Sequence, residues 1–179
     1  ALVYEDAQKK VHTYTFAEVR KYANQLANTL AGCGIKRRDR VTLLLAQDTE
    51  CAISHVACWQ SGMVSRPCSV LFGGIAITYR LNDSGAKVLI TDSANFPKVA
   101  ARRKDCPKLE RVLVIDGEPE GSQNFWKAIE GASDKFTNVK TRADDIAWIS
   151  YTSGTTGMPK GSVQPHRMML GHMPSLEFI

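Results

Sequence analysis

Val41-Thr42-Leu43-Leu44-Leu45-Ala46, entered through Arg40, is the best apolar run of the chain, and its reading decides the fold. A bilayer span needs ~20 apolar residues, so this run has the length of a strand. It is continuous rather than alternating, which marks a strand covered on both faces, as in a parallel sheet. Upstream, Thr15 and Glu18 stand three apart as a capping box. Phe16, Val19, Ala23, Leu26, Ala27 and Leu30 then recur at helical spacing until Gly32 and Gly34 stop the run. Downstream, Asp48 is placed to cap a helix over residues 49–61, which Gly62 ends.

The alternation continues to the end of the chain. Strands are predicted over 63–68 (interrupted by Pro67), 87–91, 111–116 and 146–151. Helices are predicted over 75–83, closed by Gly85, over 93–104, capped by Ser93, and over 122–130. A polar link covers 131–145. Strands alternating with helices specify βαβ units, hence an α/β domain with a mostly parallel sheet and helices on both faces. Such sheets bind ligands beyond the carboxyl ends of their strands, so chemistry is expected in the loops there.

Composition narrows the function classes. The 179 residues are 44% hydrophobic and 23% charged, which excludes a disordered or fibrous chain. Glu5, Asp6, Lys9 and Lys10 near the start do not resemble a signal peptide, and a cytoplasmic protein without a membrane span is expected. Cys33, Cys51, Cys58, Cys68 and Cys106 are scattered, with no C-x-x-C pair, and read as reduced, mostly buried thiols. The histidines His12, His55, His166 and His172 show no metal-ligand spacing, so no protein metal site is expected. The net charge is +5, with a basic excess at Lys98, Arg102, Arg103, Lys104, Lys108 and Arg111. No aromatic residues interleave it for base stacking, so it reads as a solvated helix face rather than a nucleic-acid patch.

One loop stands apart. Thr152-Ser153-Gly154-Thr155-Thr156-Gly157-Met158-Pro159-Lys160-Gly161 follows the last predicted strand and holds four hydroxyl side chains, three glycines and a lysine. Glycines let backbone N–H groups turn toward an anion that approaches closely. The hydroxyls of Thr152, Ser153, Thr155 and Thr156 add donors, and Lys160 adds a charge suited to β- and γ-phosphates. The loop has the composition of a polyphosphate cradle. It is not a Walker A loop, because Pro159 precedes Lys160 where that motif has glycine. Gly32-Cys33-Gly34 is not a dinucleotide fingerprint either, since it follows a helix and precedes a strand.

Tyr151 to Gly161 resembles the signature phosphate loop of the adenylate-forming (AMP-binding) superfamily: acyl- and aryl-CoA synthetases, luciferases and peptide-synthetase adenylation domains. The resemblance continues upstream through Thr13–Glu18, Gly34-Ile35 with Asp39-Arg40-Val41, Tyr79–Lys87 and Leu89–Asp92. His166 stands six residues after Lys160, where many members carry a histidine. Ser153-Gly154-Thr155-Thr156-Gly157 is similar to the CoA-synthetase form, and Gln164–His172 to its short-, medium-chain or aryl branch. Two positions depart from the family: Ser162, where valine is common, and Arg66-Pro67-Cys68, where an apolar strand end is usual.

The resemblance implies activation of a carboxylic acid by ATP and Mg2+ to an acyl-adenylate, then transfer to CoA, as in fatty acid metabolism. It assigns ATP phosphate binding to Thr152, Ser153, Gly154, Thr155, Thr156, Gly157 and Lys160, with Lys160 also catalytic. It covers only the first part of a family chain, so residues 1–179 are read as an incomplete N-terminal part of the AMP-binding domain, inactive alone. The partners expected are the acid and CoA, with no nucleic acid. A domain that loads a carrier protein, and a non-catalytic nucleotide- or anion-binding module, are the alternatives.

Overall fold

The computed structural model describes residues 1–6, 8–152 and 157–177. The elements run β1 (Leu2–Glu5), β2 (Val11–Tyr14), α1 (Phe16–Gly32), β3 (Arg40–Leu44), α2 (Thr49–Gln60), β4 (Val64–Pro67), α3 (Gly74–Ser84), β5 (Val88–Thr91) and α4 (Phe96–Ala100). They continue with β6 (Arg111–Val114), β7 (Gln123–Asn124), α5 (Phe125–Ile129), β8 (Ile146–Thr152), β9 (Lys160–Pro165) and α6 (Arg167–Glu177). A sheet of order β7-β6-β5-β3-β4-β8-β9 forms the centre, parallel throughout except for the β8–β9 pair. β1 and β2 form a separate antiparallel hairpin.

The apolar run is the axis of this sheet. Val41, Leu43 and Leu45 enter a core with α1, α2 and α5, while Leu44 enters a second core with α3 and α4. β5 divides the same way, with Val88 and Ile90 in one core and Leu89 in the other. β6 repeats it, sending Leu113 to the first core and Val112 and Val114 to the second. Period-two geometry applied to continuous apolar strands puts helices on both faces.

The caps behave as expected at three helices. Thr15 and Glu18 form the reciprocal capping box of α1, the Asp48 side chain accepts from the Cys51 N–H at α2, and Gly85 closes α3 at φ +60°. Two helices differ from expectation. The helix predicted over 93–104 is confined to Phe96–Ala100 with a 3₁₀ turn after it. Ser93 is not its cap: the cap position falls at Asn95, two residues on, and Ser93 instead donates its N–H and hydroxyl to Asp116, at 2.6 and 2.7 Å. The helix predicted over 122–130 begins only at Phe125, since Asn124 accepts from the Lys127 N–H as the cap, while Gln123 and Asn124 pair with β6.

The link 131–145 has no regular element and lies along the polar side of α1. Asn24 and Asn28 hold it, donating to the carbonyls of Asp134, Ser133 and Lys135 at 2.6–2.9 Å. The basic stretch after β5 is part engaged internally and part exposed, with Lys104, Lys108 and Arg111 on the surface. Lys98 donates to Val70 O and Asn95 Oδ1, both at 2.7 Å, and Arg102 pairs with Asp105 at 3.1 Å. Cys58, Cys68 and Cys106 are buried, and Cys33 and Cys51 half-buried. No helix among the described residues is long and apolar enough to cross a membrane.

Candidate functional site

Beyond β3 the chain passes through Leu45-Ala46-Gln47-Asp48 into α2, against one face of the sheet. Beyond β4 it passes through Cys68 and Ser69 toward α3, against the other. The two loops part, and between them and β8 opens a cleft of about 720 Å³. This is where an open α/β sheet has its ligand crevice, at the carboxyl ends of strands whose connections diverge.

One wall is aromatic. His55 of α2 stacks on Trp148 of β8 with ring centroids 4.7 Å apart and planes 2° from parallel, and Trp59 stacks on the other pairings at 5.3 and 6.2 Å. The register that pairs Ser65 with Trp148 brings β8 beside β4 and so carries the indole to α2. Burial presses the His55 imidazole down to about 4, so it is neutral at pH 7. Asp48, at the mouth, is pushed the other way. Burial raises its carboxyl from 3.8 to about 6, against the lowering effect of the Cys51 N–H it accepts. Burial also lifts the neighbouring Cys51 thiol to about 11, leaving it protonated and unreactive.

The opposite wall is built on Tyr151. Its hydroxyl donates to Asp83 Oδ2 at 2.5 Å, and its pKa is raised by burial and then by that carboxylate. Arg66 and Arg80 lie 5.5 and 5.6 Å from its ring, and Arg80 also covers Phe72 at 4.0 Å.

Tyr151 is followed by the glycine- and hydroxyl-rich loop. The structure makes this loop the connection of an antiparallel hairpin, with Tyr151 opposite Gly161 and Thr152 opposite Lys160. Thr152 and Lys160 are both exposed at its base. Gly161 has no room for a side chain, because a Cβ there would meet Ile149 Cγ2 at 3.1 Å and the Tyr151 ring at 3.3 Å. Tyr79 of α3 fixes the returning arm by donating to Pro159 O at 3.1 Å. Gly157 sits at φ +114°, a conformation open to glycine. Ser153, Gly154, Thr155 and Thr156 lie outside the described residues. The backbone pairing thus joins Thr152 and Lys160, from the two ends of the motif, directly after Tyr151 of the cleft wall. His166 is not among them. It follows the far end of β9, roughly 17 Å of strand away from Lys160, where its N–H donates to Asp145 O at 2.9 Å.

A magnesium ion finds no acidic cage here: among the described residues no group of three His, Cys, Asp or Glu side chains could hold a metal. The hydroxyl and ammonium donors of Thr152 and Lys160 suit phosphate oxygens instead.

The sequence profile of the AMP-binding enzyme family matches residues 1–177. The chain belongs to this family. Mouse acyl-coenzyme A synthetase ACSM5, a mitochondrial protein, is 37% identical over 149 residues, covering 82% of this chain and 26% of that protein. The crystal structure of an acyl-CoA synthetase from Brucella canis superposes with a TM-score of 0.89 at 29% identity, over 99% of this chain and 32% of that one. The anthranilate CoA ligase AuaEII, solved in complex with anthranoyl-AMP, has a TM-score of 0.84 at 30% identity, over 87% of this chain and 30% of that one. The chain therefore spans about a quarter to a third of the AMP-binding enzymes it matches.

The sequence singled out the loop 152–161 and the Asp48 cap, but neither the strand after that loop nor His55, Trp148, Arg66 and Arg80 as parts of one cleft. The sequence signal for them was only positional: the loops after β3 and β4 lie at carboxyl ends of parallel strands.

Proposed function

We propose that this chain is the N-terminal part of an acyl- or aryl-CoA ligase, and that its hairpin loop grips the phosphates of ATP. In this reading Thr152, Ser153, Gly154, Thr155, Thr156, Gly157 and Lys160 hold the β- and γ-phosphates while a carboxylate attacks the α-phosphate. The C–O–P bond of the acyl-adenylate forms, the bond to pyrophosphate breaks, and CoA thiol later displaces AMP. Lys160 stabilises the negative charge that grows on departing pyrophosphate, an electrostatic contribution larger in the transition state than in the ground state. Magnesium would arrive with the nucleotide, bound to its phosphates. The acid in this reading is a short- or medium-chain or aromatic one; of the relatives above, one is named as a ligase of an aromatic acid, anthranilate.

The observation that carries this reading is the pairing of Thr152 with Lys160 at the base of a glycine- and hydroxyl-rich hairpin, on the carboxyl edge of the sheet. Adenylation is measured as carboxylate-dependent exchange of labelled pyrophosphate into ATP, using the longer protein that contains this chain. Lys160→Ala should slow exchange about 100-fold at saturating ATP, the scale of losing one preorganised charge-stabilising donor. An unchanged rate would overturn the role of Lys160. The 179 residues alone should sustain no exchange, and exchange by them would overturn the reading of the chain as a part.

A further inference from the structure

Two arginines stand beside Tyr151 with no carboxylate paired to them among the described residues. Arg66 is fully buried, and its Nε donates to Thr42 Oγ1 at 2.9 Å, but Nη1 and Nη2 have no hydrogen-bond partner among the described residues. Arg80 is 6% exposed; its Nη1 donates to Ala76 O at 2.8 Å, and its Nε likewise has no partner among the described residues. The rings of Phe72 and Tyr151 offer their π-faces to these cations. A π-face does not replace the in-plane acceptors that a guanidinium needs.

Taking one guanidinium out of water without a counter-charge is costly, and two near each other add mutual repulsion. Burial lowers the Arg66 pKa; Cys68 and Tyr151 beside it act the other way, and the Arg80 charge is the smallest lowering influence, yet a guanidinium stays protonated in a protein. An anion relieves both costs at once. Arg80 and Tyr151 both line the cleft, so the way in is open.

We propose that Arg80, backed by Arg66, forms an oxoanion subsite of the cleft that takes a phosphate group, beside Met158 and Pro159 of the hairpin loop but distinct from its phosphate donors. Two positive charges match a dianion better than a single carboxylate. Arg66 is wholly buried and contributes its charge, while Arg80, on the cleft wall, is the guanidinium an entering oxoanion would meet. The site uses neither Lys160 nor residues 153–156, so it stands or falls apart from the ATP grip. Its phosphate is either free or carried by a nucleotide.

The test is thermal unfolding of the 179-residue chain with inorganic phosphate or AMP, each against sodium chloride at equal ionic strength. A probe at 100 times its Kd should raise Tm by about 5–10 °C. The rise should persist in Lys160→Ala and vanish in Arg80→Gln. Because Arg80→Gln can disturb folding, the Arg80 Nε–H resonance of the unmutated chain is followed in parallel, and should shift during the titration. A response at lower concentration to inorganic phosphate assigns the site to a free anion, and one to AMP assigns it to a nucleotide. Loss of the rise in Lys160→Ala, or an Arg80 Nε–H signal unmoved by both probes, would overturn the subsite.

Discussion

Replacing Asp48 with Asn should stabilise the chain at pH 7.5 and leave it nearly unchanged at pH 4. Asp48 caps α2 through the Cys51 N–H at 2.9 Å, and Asn caps as well as Asp, so the hydrogen bond survives the exchange. What changes is the charge. Burial lifts the carboxyl from 3.8 to about 6 in the folded chain. Below about pH 3.8 it is protonated whether folded or unfolded and contributes nothing to stability. Between 3.8 and about 6 the folded form holds the proton more tightly, so stability falls as pH rises. Above about 6 it is ionised in both states and the full penalty applies. At 1.36 kcal/mol per pH unit the limit is about 3 kcal/mol. Asp48 is only half-buried, so solvent screening leaves roughly 1–1.5 kcal/mol. A carboxylate at a helix N-terminus recovers about 0.3–1 kcal/mol at most exposed sites, which is the smaller effect. Urea unfolding of both proteins at pH 4 and pH 7.5 isolates the difference, because every other titrating group is common to the pair. A variant less stable at pH 7.5, or a difference independent of pH, would show that the helix N-terminus outweighs desolvation.

Two local devices give further tests by urea unfolding. Thr15→Ala removes the α1 cap and should cost about 1 kcal/mol, whereas Thr15→Ser, which keeps the hydroxyl, should cost little; equal losses would mean the methyl group matters rather than the cap. Gly85→Ala should cost about 2–3 kcal/mol and Gly34→Ala only about 1 kcal/mol. Both glycines have positive φ, but a Cβ at Gly85 would come within 2.5 Å of Arg40 Nη2, while Gly34 has open space. That guanidinium is not free to retreat, since it donates to Ser84 O and Gly85 O, both at 2.6 Å. Equal costs at the two positions would show that Arg40 moves aside.

The parts legible in the sequence are those whose physics is local. β3 reads as a central strand because its apolar side chains fill one core or the other, leaving no polar phase to blur the pattern. β9 has no such signature. Its residues from Lys160 to Val163 are exposed, and it is held by backbone pairing to β8 at the sheet edge. The β1–β2 hairpin escaped for the same reason, having half-buried and exposed residues in short alternation. Ser93 misled because its competitor, Asp116, is distant in sequence, and no local rule sees that bond.

The two anion-binding regions divide along the same line. The hairpin carries its hydroxyls, glycines and lysine within one loop, so composition alone announces its chemistry. Arg66 and Arg80 become neighbours only after β4 has been laid beside β8 and α3 folded back over the sheet. Their charge was visible in the sequence, but their burial was not, and burial without a counter-ion is what turns two ordinary arginines into a binding site. Since the cost of that burial exists before any ligand arrives, an anion that enters regains it on binding. The subsite should therefore favour charge over shape, discriminating weakly among phosphate esters and strongly against neutral analogues.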